Sequence, residues 1–268
     1  MATKKNVDIL EENNKTLSAE LLGQMEQEAG SGYEGMSNED VGIPFLTILQ
    51  SLSPQVKAKS PKRIEGAEEG DIFNTVNEET RTSIVVIPCA YQKAYVEWIP
   101  RDQGGGFVRQ HTDPAILDTA VPDGEGSSHL MLSNGNSIVP TAYHYVLVVS
   151  ENGALSPAIM AMSSTGLKKS RLWNGKMREF RVRGSKGFFN PPMYAQQYMV
   201  TTEQESNAMG EWYNWRIGRA ELVADMDWFR QAKEFHELII KGKVQMGAPP
   251  SENNVGKGFE TPEKEIPF

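Results

Sequence analysis

Between residues 167 and 189 the chain gathers Lys168, Lys169, Arg171, Lys176, Arg178, Arg181, Arg183 and Lys186 against Glu179 alone. The segment therefore carries +7, in a 268-residue chain whose net charge is -8. Trp173, Phe180, Phe188 and Phe189 interleave with these cations. Single-stranded nucleic acid needs both residue types. Cations track the phosphates and release counterions, while flat rings stack on bases of any sequence. The competing reading is a solvated basic helix whose rings face the core. Because the cluster opposes the sign of the whole chain, nucleic acid is the expected ligand. The eight cations are expected at phosphates, with Trp173, Phe188 and Trp98 as stacking rings.

A second candidate stretch, Tyr91 to Phe107 with Arg109 just beyond, holds Lys93, Tyr95, Trp98, Arg101 and the loop Gly104-Gly105-Gly106. On a strand, Lys93, Tyr95 and Glu97 point one way, and Ala94, Val96 and Trp98 the other. One face could then present a ring and a cation, with the glycine loop closing over a strand of DNA. The alternative is a half-buried strand with a turn. The chain contains no Gly-x-x-x-x-Gly-Lys-Ser/Thr pattern, so nucleotide hydrolysis has no support.

The third candidate is the end, Thr261-Pro262-Glu263-Lys264-Glu265-Ile266-Pro267-Phe268. Acids followed by an apolar tip and a carboxylate suit docking, the Phe268 ring filling a pocket and the carboxylate meeting a cation. Ile266, Pro267 and Phe268 resemble the tip of bacterial single-stranded DNA-binding proteins, although Lys264 interrupts the acids. The body resembles the divergent single-stranded DNA-binding proteins of tailed phages. The supporting stretches are Gly70–Thr75, Val86-Ile87-Pro88 and Tyr95–Arg101. The resemblance implies an oligonucleotide-binding barrel and a tail that occupies the DNA groove until DNA displaces it. It also implies that the tip then recruits replication or recombination enzymes.

These groups need a scaffold, and the pattern predicts a mainly β body with a few helices. Ser83–Pro88, Ala94–Ile99, Ala142–Val149 and Leu155–Met162 are strand-like runs. Asn152-Gly153 marks a hairpin between the last two, and Asn134-Gly135 an earlier one. Tyr194–Thr202 and Glu211–Val223 form a further pair, and Pro157 must sit at an edge or bulge. Helices are expected over Leu17–Glu28, Thr165–Phe180 and Asp225–Lys241, the last with a stripe from Trp228 to Ile239. Many short strands with few helices fit a five-stranded oligonucleotide-binding (OB-like) barrel with insertions. Residues 1–40, with nine acids and three lysines, read as a flexible acidic arm. Residues 41–243 form the binding domain, and 244–268 a flexible docking tail.

Other chemistry finds little support. His111, His129, His144 and His236 are scattered, and one cysteine, Cys89, excludes multi-cysteine zinc patterns. His111-Thr112-Asp113 could pair a base with its orienter, but lacks further partners. No catalytic group, metal or cofactor is expected. No apolar run is long enough for a membrane span. No apolar signal core precedes the body, which predicts a cytoplasmic protein, in the host cytoplasm if phage-encoded. The expected function is to coat and protect single-stranded DNA during phage replication, recombination or repair. A homodimer is compatible with this. A strand-annealing recombinase and a host-protein adaptor or transcription regulator are the alternatives.

Overall fold

A computed structural model describes residues 18–36, 42–124, 129–208, 210–242 and Pro249. Its strands are β1 (Phe45–Ile48), β2 (Ile72–Asn74), β3 (Thr80–Arg81), β4 (Ser83–Ile99), β5 (Gly106–His111), β6 (Val121–Pro122) and β7 (Leu130–Met131). They continue with β8 (Ser137–Val149), β9 (Leu155–Ser163), β10 (Val182–Gly184), β11 (Gly187–Phe189), β12 (Gln196–Asn207) and β13 (Gly210–Leu222). The helices are α1 (Ala19–Gln27), α2 (Gly166–Glu179) and α3 (Met226–Ile240). The protein is thus mainly β with a few helices.

Eleven strands form one sheet, ordered β13-β12-β4-β8-β9-β1-β2-β3, with β5, β6 and β7 attached beside β4 and β8. That is more than the five-stranded barrel predicted. The two expected runs at 83–88 and 94–99 are a single strand. A bulge at Cys89 accommodates the change of phase: Pro88 pairs with Val146 and Ala90 with Tyr145. Inward residues accordingly shift from Ile87 and Cys89 to Ala90, Ala94, Val96 and Trp98 on the same face. The β8–β9 hairpin turns at Asn152-Gly153, where Gly153 has φ +83. β1 pairs with β9 only at Ile159 and Met160, so Pro157 lies on an open stretch of edge, as its missing N–H requires.

The sheet curls into a half-barrel. The Gln50 side chain bridges its two ends, accepting from the Tyr213 N–H at 2.8 Å and donating to the Tyr213 carbonyl at 2.8 Å. One amide thus substitutes for a strand-pairing contact. The Thr202 hydroxyl adds a bond to the Gly70 carbonyl at 2.6 Å. Gly70 has φ +91, and a Cβ there would lie 2.6 Å from the Tyr213 ring, so only glycine fits beneath the seam. Gln50→Leu is expected to lower stability by about 2 kcal/mol, because both Tyr213 backbone groups lose their partner at the seam. Chemical denaturation would measure this.

Two packing layers follow from the curl. Leu46, Ile48 and Ile72 near one end meet Val200 and Trp215 near the other on the concave side, where α2 inserts Trp173 and Met177. The convex face packs Ile87, Tyr145 and Leu147 against Ala232 and Phe235 of α3. The α3 stripe matches the sequence expectation. Asp225 caps it by accepting from the N–H groups of Asp227 and Trp228. His236 binds the Cys89 carbonyl at the bulge, 2.6 Å away, so its Nδ1 carries the proton. Cys89 itself is fully buried, and burial pushes its thiol well above the usual range. α1 is capped by the Ser18 hydroxyl and contains no buried residue. The remaining residues of the expected N-terminal arm, 1–17 and 37–40, lie outside the described residues, as does the tail beyond Gly242 apart from Pro249.

Candidate nucleic-acid interface

Helix α2 sorts the basic stretch by face. Ser170, Trp173 and Met177 point into the core. Lys169 and Lys176, one heptad apart, turn toward β12 and β13. Lys168, Arg171 and Arg178 lie on the solvent side. Lys169 is bonded to Glu203 at 2.5 Å and Glu205 at 2.6 Å. Burial pulls its pKa down, but the two carboxylates outweigh that and raise it. Lys176 donates to the carbonyls of Ile217 and Gly218 at 2.6 and 3.2 Å. It sits at a β12–β13 bulge, where the pairing slips between Tyr198 and Val200. These two lysines therefore bind protein groups. Lys176→Ala is expected to cost about 1 kcal/mol of stability, because the ammonium satisfies bulge carbonyls. Its effect on ligand affinity should be small beside that of Arg183→Ala, and thermal melts alongside binding titrations would separate the two.

Two of the expected stacking rings are corrected. Trp173 has no exposed surface; it stacks on His144, with centroids 4.5 Å apart, and meets Tyr198 edge-on. Trp98 is 9% exposed, edge-on to Phe107. Neither ring can meet a base without leaving the core. His144 also bonds Ser170, and burial lowers its pKa to about 3, so it is neutral and structural.

The second stretch is covered as well. Tyr95 packs with Leu132 and Ile138 under the segment joining β5 to β7, and Lys93 sits over the Tyr95 ring. Glu97 is 1% exposed and accepts from Asn136 (2.7 Å), His111 (2.8 Å), Asn134 (2.9 Å) and Arg109 (3.0 Å). Burial works to raise its pKa, but the donors from Asn136, Asn134, His111 and Arg109 together hold it down at about 2. His111 therefore serves Glu97, while Asp113 caps the short turn Pro114–Thr119 through the Ala115 N–H. His111 and Asp113 thus have separate structural partners, in keeping with the setting aside of a base–orienter pair there. Arg101 begins a short 3-10 turn, Arg101–Gln103, and its side chain lies outside the described residues. The Gly104–Gly106 loop connects this turn to β5, all three glycines at positive φ.

What remains open to solvent is a hairpin. After α2 the chain forms β10 and β11 as a two-stranded ribbon, with Arg183 directly opposite Phe188. Phe188 is 74% exposed and Phe189 49%. Arg181, Arg183 and Lys186 are exposed around them. The ribbon is fixed at its base: the Asn190 amide donates to the carbonyls of Met177, Arg178 and Phe180, closing the end of α2. Arg181 also donates to the Arg178 carbonyl at 2.8 Å. Gly184 lies under Phe189, where a Cβ would come within 3.1 Å of the ring.

Beside α2 a groove of about 440 Å³ runs against β13, lined by Arg171, Leu172, Lys176, Glu179 and Arg216 among others. Arg216 escaped the sequence reading because it lies in a strand with few cations, 30 residues beyond Lys186. Arg219 is exposed on the same strand. The groove and ribbon can together offer cations and unshielded rings to a flexible polyanion. Ile266, Pro267 and Phe268 lie outside the described residues.

A family model described as Pam3 phage gp34-like protein matches residues 12–245. The chain belongs to that family. The membership places it among phage proteins, as the body's resemblance implied, and the family description names no ligand or activity. No curated protein matches the chain, and no solved structure does. No helix among the described residues is long and apolar enough to cross a membrane. The described residues contain no group of three or more His, Cys, Asp or Glu that could hold a metal ion.

Proposed function

We propose that this phage-family protein binds single-stranded DNA with little sequence preference and coats it during replication, recombination or repair. The observation carrying this reading is the exposed ribbon, which sets Phe188 and Phe189 among Arg181, Arg183 and Lys186 in an acidic protein. An exposed phenylalanine pair leaves apolar surface in water, and stacking on bases would cover it. Lys168, Arg171 and Arg178 of α2, with Arg216 of β13, extend the cationic track. The curled sheet would serve as an oligonucleotide-binding barrel does, a rigid support for a strand laid across it. Binding is non-covalent throughout. The tip Ile266-Pro267-Phe268 would dock replication or recombination enzymes.

Fluorescence anisotropy with labelled oligo-dT, at several salt concentrations and with a duplex control, tests the reading. If about five phosphates are neutralised, log affinity should fall against log salt with a slope of roughly -3 to -4. Equal binding to duplex, or no binding, would remove the proposal and favour a host-protein adaptor.

A further inference from the structure

The connection from β1 to β2, residues 49–71, contains no helix or strand. Connections of such length in a compact domain are usually either functional or disordered. This one is held by hydrogen bonds. At its root the Leu49 N–H donates to the Asp71 carbonyl and the Gly70 N–H to the Leu49 carbonyl, both at 2.8 Å. Further out, the Ile64 N–H donates to the Gln55 carbonyl at 2.9 Å and closes an inner loop, 56–63. Two successive turns shape that loop. The Ser60 N–H donates to the Lys57 carbonyl and the Arg63 N–H to the Ser60 carbonyl, each at 3.1 Å. The Ser60 hydroxyl also accepts from the Lys62 N–H.

Lys57, Lys59, Lys62 and Arg63 fall within the inner loop, which holds no acid. All four are exposed, and none has an ion pair or side-chain hydrogen bond among the described residues. Glu65, Glu68 and Glu69 follow on the return leg, after the closing bond. Charge runs are commonly just solvated. Here, however, the closed backbone holds four like charges together, and an anion would relieve their repulsion. The root of the loop sits at the Gln50–Tyr213 seam. Asn214, next along β13, lies against the start of α2, where a Cβ at Gly166 would be 3.9 Å from its Oδ1. The ribbon leaves the opposite end of that helix, fixed there by Asn190. With 14 residues, α2 sets the two ends about 21 Å apart. Arg171 and Arg216 line the groove between them.

We propose that loop 56–63 binds phosphodiesters, as a second contact for the strand held by the ribbon. The inference rests on the single-strand reading and adds where the strand goes beyond the groove. Residues 49–71 include no aromatic ring, so the loop grips the backbone and not the bases. Its contribution is therefore independent of sequence. Cations on a closed loop also lose less freedom on binding than cations on a flexible segment.

Anisotropy titrations of the full chain test this, with labelled oligo-dT and oligo-dA of about 30 nucleotides, longer than the roughly 4–16 that one fold covers. The loop variant is Lys57→Gln/Lys59→Gln/Lys62→Gln/Arg63→Gln. A charge control, Arg230→Gln/Lys233→Gln/Lys241→Gln, removes cations at α3 on the convex face. If the loop makes three phosphate contacts, its variant should flatten the salt slope by about 2 and weaken both oligonucleotides at least about tenfold near 50 mM salt. The control should keep the parent slope. All three chains should melt within about 2 °C of one another, since every substituted side chain is exposed. Equal slopes in the parent and the loop variant, or the same loss in the control, would overturn the proposal and leave the single-strand reading in place. No oligonucleotide binding by the parent would instead remove the single-strand reading, and the loop's role with it.

Discussion

Replacing Phe188 and Phe189 by alanine is expected to weaken oligo-dT binding by at least about thirtyfold while leaving Tm within about 1 °C. Base–aromatic stacking is worth roughly 1–3 kcal/mol per ring, and two rings at the lower end give about 2 kcal/mol. Stability should hold because Phe188 is 74% exposed and packs little in the free protein. Phe189 is only half-exposed and touches the space above Gly184, so the single Phe188→Ala variant gives the cleaner comparison. Arg183→Ala, facing Phe188 across the ribbon, should act differently. It should weaken binding more at low salt and reduce the salt slope by about 0.7. Anisotropy titrations at several salt concentrations distinguish the ring from the charge. Unchanged affinity in the double phenylalanine variant would remove the ribbon from the interface.

Glu97→Ala should be the most destabilising of the changes considered, about 3 kcal/mol. That corresponds to a Tm loss of roughly 6–12 °C in a domain of this size. The carboxylate is buried and collects four donors, Arg109 and His111 on β5 and Asn134 and Asn136 in the turn before β8. Removing it leaves the Asn134 and Asn136 amides and the His111 ring without their acceptor. The partly exposed Arg109 guanidinium loses less, since water can replace its partner. The same carboxylate sets an acid limit. Its folded pKa, about 2, lies below the ordinary carboxylate range, so the folded state binds the proton less readily than the unfolded one. Its contribution is therefore complete above about pH 5 and fades as pH falls from there toward 2. Denaturation at pH 7 and pH 3.5 should show a gap between the parent chain and Glu97→Ala that narrows with acid. A gap independent of pH would contradict this account of the carboxylate.

Much of the architecture was legible because local signals agreed. Asn152-Gly153 between two strand-like apolar runs specified the β8–β9 hairpin, and the Trp228–Ile239 stripe with Asp225 ahead specified α3. The unbroken length of β4 was not legible. Tyr91, Gln92 and Lys93 read as an interruption, whereas the Cys89 bulge simply changes which face they occupy. Alternation also correctly separated Tyr95 and Glu97 from Val96 and Trp98, but gave no sign that both faces would be covered. That depends on β5–β7 folding back, a non-local event.

The basic stretch was visible as composition, and its division was not. Lys169 and Lys176 are engaged by Glu203, Glu205 and the Ile217 and Gly218 carbonyls, all more than 30 residues away. The two short strands of the ribbon fall below any periodicity signal, so Phe188 was selected by its type alone.

The most direct test of the central claim is photocross-linking of bromodeoxyuridine-substituted oligonucleotide to the full chain, followed by peptide mapping. The account predicts cross-links on the peptide bearing Phe188 and Phe189, reduced by added salt and absent with duplex. Cross-links confined to the convex face around α3, or none at concentrations that saturate the ribbon in anisotropy, would contradict it.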